Sequence, residues 1–563
     1  MENSQISDLL SEIGVYLDLL GENIFKVRAY ENAARAVASQ SGRMAELDEK
    51  QLQEIPGIGK AIAEKIRMYC STGKLPYADE LRSKIPPGLV DMLRIPSLGP
   101  KRAKLLFEKL KIESIAALQD ACEQNRLVDL EGFGERSQAK ILDGIRMLAT
   151  FKDQHLLAEV LPIAERVIRH LKKSKLVQRI EAAGSIRRRK KIVKDIDILV
   201  SSKRPGDVSE VFLGMEGISD VIGRGDTKTS VRIGGKIQVD LRVVSDDEFP
   251  YALHHFTGSK AHNIAMRSLA KERGMKISEY GVFKGTKRIA AKDEAAFFKI
   301  FGLDFIPPEL REDRGEILAA GDGALPKLVS ESDIAGVLHV HTNWSDGLAP
   351  LETMVQEAGR RGYRYIAITD HSKTSTYANG LSTDRLQKQM GEIGTMNKKN
   401  PGIRILTGSE VDILPDGSLD YGDDLLSKLD VVIAAVHSHF GMKPDEMTRR
   451  ICRALTHPEV DILAHPTGRL LLTRQGYEFG WDEVLRCAAE KGKAIELNAN
   501  PQRLDIDPAH AKRAAEMGVK ISINPDAHRP EGLDDMRYGV WAARRGWLTR
   551  KDVLNSVEWI RRK

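Results

Sequence analysis

The sequence predicts a multidomain protein that combines α+β and α/β parts, and three observations lead to this fold class. At 563 residues the chain is too long for a single hydrophobic core. Residues 1–148 carry apolar residues at helical spacing with Gly or Pro between segments, which predicts short helices. From about residue 178 the alternating, β-branched segments IDILVSS and KIQVDLRVV indicate strands. After residue 335 short strands alternate with helical stretches, which predicts βα units with parallel strands.

The charge distribution separates a basic part of the chain from a histidine-rich part. Residues 1–310 contain 51 Lys and Arg against 43 Asp and Glu, or +8, and the remainder contains 35 against 37, or −2. A basic surface attracts polyanions, so we expect nucleic acid to bind the first part. Nine of the 14 histidines follow residue 330, which indicates a different chemistry there.

The composition argues against membrane proteins and secreted proteins. No run of about 18 apolar residues occurs, and the acidic, amphipathic start MENSQISDLLSEIG does not fit a secretory signal. The four cysteines are far apart and form no C-x-x-C pair, which argues against a disulfide framework or a zinc ribbon. We therefore expect a cytoplasmic protein that does not associate with membranes.

Three glycine-containing turns, each leading directly into a helix, occur within the first 148 residues. They are IPGIGKAIAEKI (55–66), IPSLGPKRAKLL (95–106) and LEGFGERSQAKIL (130–142). Glycines let backbone N–H groups approach a phosphate, and the helix N-terminus adds positive potential. One such turn could simply shape a helical hairpin, but three resemble helix-hairpin-helix motifs, which hold the DNA backbone without reading bases. The candidate DNA-binding residues are Gly57, Gly59, Lys60, Gly99 and Lys101.

Three aspartates on two predicted strands form a candidate two-metal site. Asp195 and Asp197 are two residues apart in KDIDILV, so period-two alternation points both carboxylates to one face. Asp240, in KIQVDLRVV, supplies a third carboxylate from another strand. Three converging carboxylates can hold two Mg²⁺ or Mn²⁺ ions, an arrangement that suits phosphoryl transfer. Upstream, Gly184 and Ser185 form a small turn ahead of two arginines, which suits triphosphate oxygens.

These segments resemble the catalytic core of family X DNA polymerases over about residues 1–312. The resemblance is carried by G-S-x-R-R, D-I-D, GRGDTK, VDLRVV and HHFTGSKAHNIAMRSLAKERG. It implies a nucleotidyltransferase-type palm with a mixed sheet, in which Asp195 and Asp197 bind both metals. It also implies that Asp240 binds the catalytic metal and helps to activate the primer 3′ hydroxyl. The implied nucleotide-binding residues are Gly184, Ser185 and Arg188 at the triphosphate, Phe256, Thr257 and Gly258 at the sugar, and Asn263 and Arg267 at the nascent base pair and template.

At two positions the resemblance to family X polymerases leaves the role of the residue open. His255 stands where the family commonly has an aromatic residue before F-T-G, so the resemblance does not settle ribose discrimination. Lys65 aligns with the lysine that forms a Schiff base in deoxyribose-phosphate lyase members, a chemistry that needs a neutral amine. Lys65 is equally consistent with a phosphate contact or a solvated helix residue.

Nine candidate metal ligands lie at successive predicted strand ends in the last part of the chain. His339 and His341 are two residues apart in VLHVH and therefore share a face. Nine nitrogen and oxygen ligands are too many for one ion, so we expect two or three Mn²⁺, Zn²⁺ or Fe²⁺ ions. Such a cluster activates water and neutralises the charge that develops on a phosphodiester. The remaining candidates are Asp346, His371, Glu410, His437, His465, Asp526 and His528.

This ligand series resembles the polymerase-and-histidinol-phosphatase (PHP) domain, a distorted (β/α)7 barrel, over about residues 333–563. The resemblance implies one metal on His339, His341, Glu410 and Asp526. It implies a second on Glu410, His437 and His465, and a third on Asp346, His371 and His528.

Together the two resemblances predict a bacterial or archaeal family X DNA polymerase with a C-terminal PHP domain. We expect a DNA-directed DNA polymerase for gap filling in repair, with a metal-dependent 3′–5′ exonuclease in the PHP domain. The expected partners are gapped or primed DNA and deoxynucleoside triphosphates, and the expected state is a monomer. The predicted segments are a helix-hairpin-helix, lyase-like domain (1–85), a second helix-hairpin-helix subdomain (86–148), the palm (149–245), a nucleotide-selection subdomain (246–312), a surface linker (313–332) and the PHP domain (333–563).

Three alternatives remain open at this stage. The PHP domain could be a small-molecule phosphatase joined to a polymerase or DNA-binding module, or a non-catalytic metal scaffold that orients the polymerase. The polymerase part could also add nucleotides without a template.

Overall fold

The computed structural model describes residues 1, 3–38, 43–95, 98–151, 153–399 and 402–559, which divide into two compact units. The first unit contains residues 1–152 with the short segments Gly347–Pro350 and Leu472–Arg474, and the second contains the rest. In the part of the chain that is described, no helix is long and apolar enough to cross a membrane. Two residues of the second glycine turn, Pro96 and Ser97, lie outside the described residues.

The first unit is helical, which confirms the prediction from its apolar spacing. Ile13 and Leu17, one helical turn apart, are fully buried in its core. Glycines mark the helix ends: Gly59 and Gly99 precede two helices as extended N-cap residues, and Gly73 ends one of them in the left-handed region. The helices are α1 (Asn3–Leu20), α2 (Ile24–Ala38), α3 (Glu49–Gln53), α4 (Lys60–Thr72), α5 (Pro76–Ser83), α6 (Pro87–Met92), α7 (Pro100–Leu110), α8 (Ile115–Glu123) and α9 (Glu135–Phe151).

The second unit begins with a palm built on a five-stranded mixed sheet. Its elements are β1 (His155–Leu156), α10 (Leu157–Lys172), β2 (Arg179–Ala182), α11 (Gly184–Arg187), β3 (Ile192–Val193), β4 (Asp195–Ser201), α12 (Pro205–Leu213), β5 (Ile218–Arg224), β6 (Lys228–Ile233) and β7 (Ile237–Val244). The strand order is β2-β4-β7-β6-β5, with β4 and β7 parallel and the other neighbours antiparallel. Along β4 the apolar Ile196 and Ile198 are buried, and the aspartates alternate with them onto the other face. The predicted mixed sheet is therefore confirmed.

A smaller subdomain follows the palm and is held by an aromatic core. Its elements are α13 (Phe249–Thr257), α14 (Lys260–Glu272), β8 (Lys276–Ser278), β9 (Gly281–Lys284), β10 (Lys287–Ile289) and α15 (Glu294–Ile300). Phe297 and Phe298 are fully buried with their rings at a T-shaped angle. Arg311 is also fully buried; its guanidinium donates to Glu294 Oε1 at 2.6 Å and to the Ile306 carbonyl at 2.9 Å.

The segment that we predicted as a surface linker (313–332) is exposed over much of its length, and a few buried residues anchor it to the rest of the unit. It contains α16 (Glu316–Gly321), and the fully buried Glu316 carboxylate lies 2.6 Å from His262 Nδ1. Val329 is also fully buried, and its N–H donates to the Leu548 carbonyl. The segment lacks a clear apolar period because polar pairs, and not an amphipathic stripe, hold much of it in place.

Seven parallel strands in sequence order form the last part of the second unit. A bridge between Val340 and Ala527 connects the residues just beyond the first and last strands, so the sheet is nearly closed and the predicted (β/α)7 barrel is confirmed. The strands are buried on both faces because helices cover the outside. The elements are β11 (Gly336–Val337), α17 (Leu351–Arg360), β12 (Tyr365–Ile368), α18 (Thr383–Lys399), β13 (Arg404–Asp412), α19 (Asp423–Leu426), β14 (Val431–Ala435), α20 (Pro444–Leu455), β15 (Ile462–Leu463), α21 (Trp481–Lys491), β16 (Ala494–Asn498), α22 (Pro508–Glu516), β17 (Ile521–Asn524) and α23 (Met536–Arg545).

The buried Arg311 generates a prediction about stability. Arg311→Met should lower the free energy of unfolding by about 3 kcal/mol or more, because it leaves part of the buried Glu294 carboxylate without its counter-charge. Urea unfolding followed by tryptophan fluorescence reports on this unit, since all five tryptophans follow residue 340. Arg513→Met is the control: its ion pair is 3.4 Å long and exposed, so its loss should cost about 0–1 kcal/mol. Equal small losses in both variants would contradict a structural role for Arg311.

Candidate active sites

The three aspartates of the predicted two-metal site stand side by side on β4 and β7. These strands are parallel neighbours, and Asp197 lies directly opposite Asp240. Asp195 precedes Asp197 by two residues on β4, so the structure brings all three carboxylates to one face of the sheet. Lys228 Nζ lies 2.8 Å from Asp240 Oδ2, and Gln238 donates to Asp240 Oδ1 at 2.9 Å.

The crowding of these carboxylates shifts their pKa values apart. Burial and the neighbouring Asp195 and Asp240 raise the pKa of Asp197 to about 6. Burial, with Asp240 adding to it, also raises the pKa of Asp195. Burial works in the same direction on Asp240, but hydrogen bonds from Lys228 and Gln238 outweigh it, so the pKa of Asp240 is lowered. Oxygen ligands that repel one another in this way fit a divalent cation, which relieves the repulsion.

The glycine–serine turn lies directly against one of these carboxylates. Gly184 opens α11 with a φ of +58°, and a Cβ on it would lie 2.3 Å from Asp197 Oδ2. A larger residue at this position would displace the aspartate. Ser185 follows on the same turn and is half-buried. The turn backbone is therefore positioned beside the carboxylates, as triphosphate binding requires.

The two arginines after this turn connect it to the F-T-G turn at the end of α13. Arg187 Nη1 donates to Thr257 Oγ1 at 2.8 Å, and Arg188 donates to the Thr257 carbonyl. Arg188 Nε also donates to Glu312 Oε1 at 3.0 Å. Phe256, next to Thr257, packs against a small buried apolar cluster. The structure thus brings the predicted triphosphate and sugar contacts together.

The remaining predicted nucleotide contacts lie just after the F-T-G turn. Asn263 is buried, and its Nδ2 donates to the His255 carbonyl at 2.7 Å, so this amide holds the turn itself. Gly258 follows α13 with a φ of +52°, and Arg267 is exposed one turn beyond Asn263 on α14. Arg267 therefore has the freedom to meet a nucleic acid strand, whereas Asn263 already has a structural partner.

The glycine turns of the first unit leave their backbone open. A Cβ added to Gly59 or Gly99 would meet no described atom within 4 Å. Gly57 has a φ of +94°, which requires glycine. Lys60 and Lys101 lie in the first turns of α4 and α7 and are exposed. An open backbone, a helix N-terminus and an adjacent lysine form a surface that suits phosphate.

Lys65 lies further along α4 and already has two contacts. Its Nζ donates to the Ala61 carbonyl at 3.1 Å and lies 4.9 Å from the centre of the Tyr77 ring.

All nine predicted ligands of the last part meet at the ends of the barrel strands, where barrel enzymes place their sites. Eight of them fall into three groups that share members. Within each group the ligand atoms lie within 4.8 Å of one another. His465 Nε2 joins them, 2.7 Å from Glu410 Oε1. The groups are His339, His341 and Asp526; His341, Asp346, His371 and His528; and His371, Glu410 and His437.

Unpaired buried atoms show that this centre fits divalent metal ions. His339 Nε2, His341 Nε2 and Glu410 Oε2 are buried without a hydrogen-bond partner, which costs about 1–3 kcal/mol each if nothing else binds them. The two imidazole nitrogens lie 3.6 and 3.3 Å from Asp526 Oδ1, and two ligands of one tetrahedral ion are separated by roughly 3.4 Å. Burial, with His528 and His371, lowers the pKa of His341 to about 3, which keeps this imidazole in the neutral form that binds metals.

Two further carboxylates, which were not among the predicted site residues, orient these imidazoles. Glu496 Oε1 lies 2.7 Å from His339 Nδ1, and Asp412 Oδ1 lies 2.6 Å from His437 Nδ1. Each contact turns the other ring nitrogen toward the centre, as carboxylates around metal-binding histidines do. Asp412 is two residues after Glu410 on β13, so strand periodicity was a usable signal.

Comparison with known proteins gives four family matches along the chain. Family models match a helix-hairpin-helix domain at residues 1–75, a SAM-like helix-hairpin-helix tandem at 89–147, a DNA polymerase beta thumb at 252–312 and a PHP domain at 338–500. The chain is 42% identical to the DNA polymerase/3′-5′ exonuclease PolX of Bacillus subtilis (strain 168), over 99% of this chain and 98% of that protein. The chain belongs to the PolX family.

Shorter relatives match part of this PolX chain. A probable phosphatase of Thermoanaerobacter sp. (strain X514) is 30% identical over 229 residues, and one of Syntrophotalea carbinolica is 28% identical over 231 residues. Each match covers 39% of this chain and 89% or 91% of the relative. PolX membership and the two donor sets imply divalent metals in both sites.

The charges in the histidine centre predict that metal binding releases protons. Burial alone lowers the pKa of His437 and His528, but neighbouring carboxylates raise each pKa to about 9. Both imidazoles are therefore protonated at pH 7 without metal, and an ion that binds them must displace those protons. Titration calorimetry with Mn²⁺ in two buffers of different ionisation enthalpy should show release of two or more protons at pH 7, since carboxylates also raise the pKa of His339 well above its ordinary value. The affinity should also rise from pH 6 to pH 9.

Two variants control this titration. His339→Ala/His341→Ala should lose most of the heat, whereas Asp195→Ala/Asp197→Ala should keep it. Identical apparent enthalpies in the two buffers would contradict the assigned protonation of His437 and His528.

Proposed function

We propose that this chain is a DNA polymerase that fills gaps during DNA repair and carries a 3′–5′ exonuclease in its PHP domain. The observation that carries the proposal is the full-length identity of 42% to a polymerase/3′-5′ exonuclease PolX. The two sets of metal-binding residues also support it, because each brings together the residue types that its proposed reaction needs. Base-excision repair and end joining are the settings that need such a pair of activities.

In the polymerase site, Asp195 and Asp197 bind both metal ions and Asp240 binds the catalytic one. Bound Mg²⁺ or Mn²⁺ lowers the pKa of the primer hydroxyl and neutralises charge on the triphosphate. The hydrogen bonds from Lys228 and Gln238 keep Asp240 ionised, so it is ready to help activate the primer 3′ hydroxyl.

The nucleotide is held by the two linked turns and the helix that follows them. Their mutual hydrogen bonds support this assignment, because a rigid frame holds reacting groups in line. We assign Gly184, Ser185 and Arg188 to the triphosphate, Phe256, Thr257 and Gly258 to the sugar, and Asn263 and Arg267 to the base pair and template.

The glycine turns of the first unit hold the DNA backbone through Gly57, Gly59, Lys60, Gly99 and Lys101. Lys65 is the candidate Schiff-base lysine, and borohydride reduction on DNA with a 5′-deoxyribose phosphate would trap it if it reacts.

In the PHP site the nine ligands hold up to three ions, with Mn²⁺, Zn²⁺ or Fe²⁺ as the candidates. Bound ions lower the pKa of water and neutralise the phosphodiester in the transition state. The protein's own share is orientation: Glu496 and Asp412 hold two of the imidazoles, and Asn498 donates to Asp526 at 3.0 Å.

A phosphatase is the second candidate for the PHP site, because the chain is similar over 39% of its length to probable phosphatases. That function predicts release of inorganic phosphate from phosphomonoesters without digestion of a primer strand. A purely structural metal scaffold is disfavoured, because a metal-binding residue stands at each of the nine positions and the ligand atoms converge.

One gapped, primed duplex can test both activities. Asp195→Ala/Asp197→Ala should abolish primer extension, by about a thousandfold or more, and keep primer degradation, because phosphoryl transfer depends on the charge neutralisation these carboxylates anchor. His339→Ala/His341→Ala should do the reverse. Extension and shortening are read from the same gel with Mn²⁺ present. Normal shortening by the histidine variant would rule out the exonuclease assignment.

The barrel should also influence nucleotide binding through Arg545. Its Nη1 donates to the Arg188 carbonyl at 2.6 Å and lies 3.2 Å from Glu312 Oε1, the atom that accepts from Arg188. Arg545→Ala should therefore raise the KM for nucleotide about tenfold with a smaller change in kcat, as expected for loss of a charged hydrogen bond. Arg544→Ala is the matched control, since this neighbour pairs with Glu309 instead. Equal KM values in the two variants would contradict the coupling.

A further inference from the structure

An exposed aromatic side chain stands at the rim of the histidine centre. Tyr377 lies on the short helical turn Thr376–Ala378, and 71% of its surface is exposed. Its ring centre is 6.3 Å from that of His371 and 6.4 Å from that of His437. A tyrosine ring is normally at least partly covered, so one that is exposed beside a reactive centre is available to a ligand.

The chain before Tyr377 is fastened to one side of the centre. Ser375 Oγ donates to Asp412 Oδ2 at 2.9 Å, and Thr374 Oγ1 donates to the same oxygen. The other oxygen of Asp412 orients His437. One carboxylate therefore positions both a metal-ligand imidazole and the segment that carries the tyrosine.

The chain after Tyr377 is fastened to the opposite side. Asn379 Nδ2 donates to the carbonyl oxygens of Trp344 and Ser345, each at 3.2 Å. Ser345 directly precedes Asp346, another member of the centre. The segment is thus held at both ends by the loops that carry metal ligands, which sets the position of the ring before any substrate binds.

We propose that Tyr377 stacks on the 3′-terminal nucleobase of a DNA strand whose scissile phosphodiester lies at the histidine centre. This inference rests on the proposed exonuclease. A nucleobase is separated from its own phosphate by one sugar, which matches the short distance between the tyrosine and the histidine rings. Every base has a π face, so stacking holds a strand end without selecting its sequence.

Such a platform also separates a nuclease from a phosphatase. A small phosphomonoester can reach the ions without an aromatic base, whereas a strand end gains affinity from its terminal base. Tyr377 therefore gives the centre a preference for nucleic acid that the metal ligands alone do not supply.

The test compares two single-stranded oligonucleotides that differ only at the 3′ end. One ends in a natural nucleotide, and the other ends in a tetrahydrofuran nucleotide, which keeps the phosphodiester and lacks the base. Removal of the last nucleotide is measured with Mn²⁺ for the wild type, Tyr377→Ala, Tyr377→Phe and Tyr280→Ala. Tyr280 is the matched control because it is an exposed tyrosine (57%) outside the PHP domain. The metal content of each protein is measured to show that the centre is intact.

The proposal predicts that the wild type and Tyr280→Ala prefer the natural end. Tyr377→Ala should lose about 5- to 150-fold in kcat/KM on the natural end, which is the range for one lost base–aromatic stack. It should lose little on the base-free end, so the preference disappears. Tyr377→Phe should behave like the wild type, because its ring is retained.

Equal losses of Tyr377→Ala on both ends would overturn the platform, because the ring would then act through the metal centre. No loss on either end would overturn it as well. If the wild type shortened neither oligonucleotide, both the proposed exonuclease activity and the stacking role of Tyr377 would be ruled out. A wild type that shortens both, with Tyr377→Ala equal to Tyr280→Ala, overturns only the platform.

Discussion

The parallel pairing of β4 with β7 holds the carboxylates of Asp197 and Asp240 closer together than their charges favour. Burial, together with the charges of Asp195 and Asp240, raises the pKa of Asp197, and the pairing of the two strands over seven residue pairs keeps the carboxylates in place. The barrel also holds like groups close together. Its parallel strands bring together buried imidazole and carboxylate atoms that lack hydrogen-bond partners of their own. In both places the sheet bears an electrostatic cost that a divalent cation relieves, and the rest of each site is built around it.

Polar contacts, in addition to apolar packing, connect the parts of the second unit. Glu294 pairs with Arg187 and the buried Arg311, and Glu312 pairs with Arg188 and Arg545. Buried ionic pairs of this kind add little net stability but are costly to break, so they hold one arrangement against alternatives. In this protein they place the two arginines that follow the glycine–serine turn. The proposed polymerase site is therefore connected to residues of the barrel that lie far away in the sequence.

Metal ions held by imidazole and carboxylate can serve both phosphodiester and phosphomonoester hydrolysis, so the substrate preference of the histidine centre must come from its surroundings. In our proposal the loops at the rim set that preference. One of them is anchored to Asp412, the carboxylate that also orients an imidazole of the centre. This arrangement ties the position of a strand end to the position of the ions. One barrel architecture can in this way serve different phosphate esters.

The sequence by itself determined the elements and the donor atoms. Helical spacing, strand alternation and the spacing of Asp195 and Asp197 are local patterns, and each reflects the geometry of one element. The tertiary structure alone decided which groups support those donors. Glu496 meets His339 across 157 residues and Arg545 meets Arg188 across 357, so no local pattern reports either contact. The anchoring of segment 313–332 is a further example: the buried Glu316 contacts His262, 54 residues earlier.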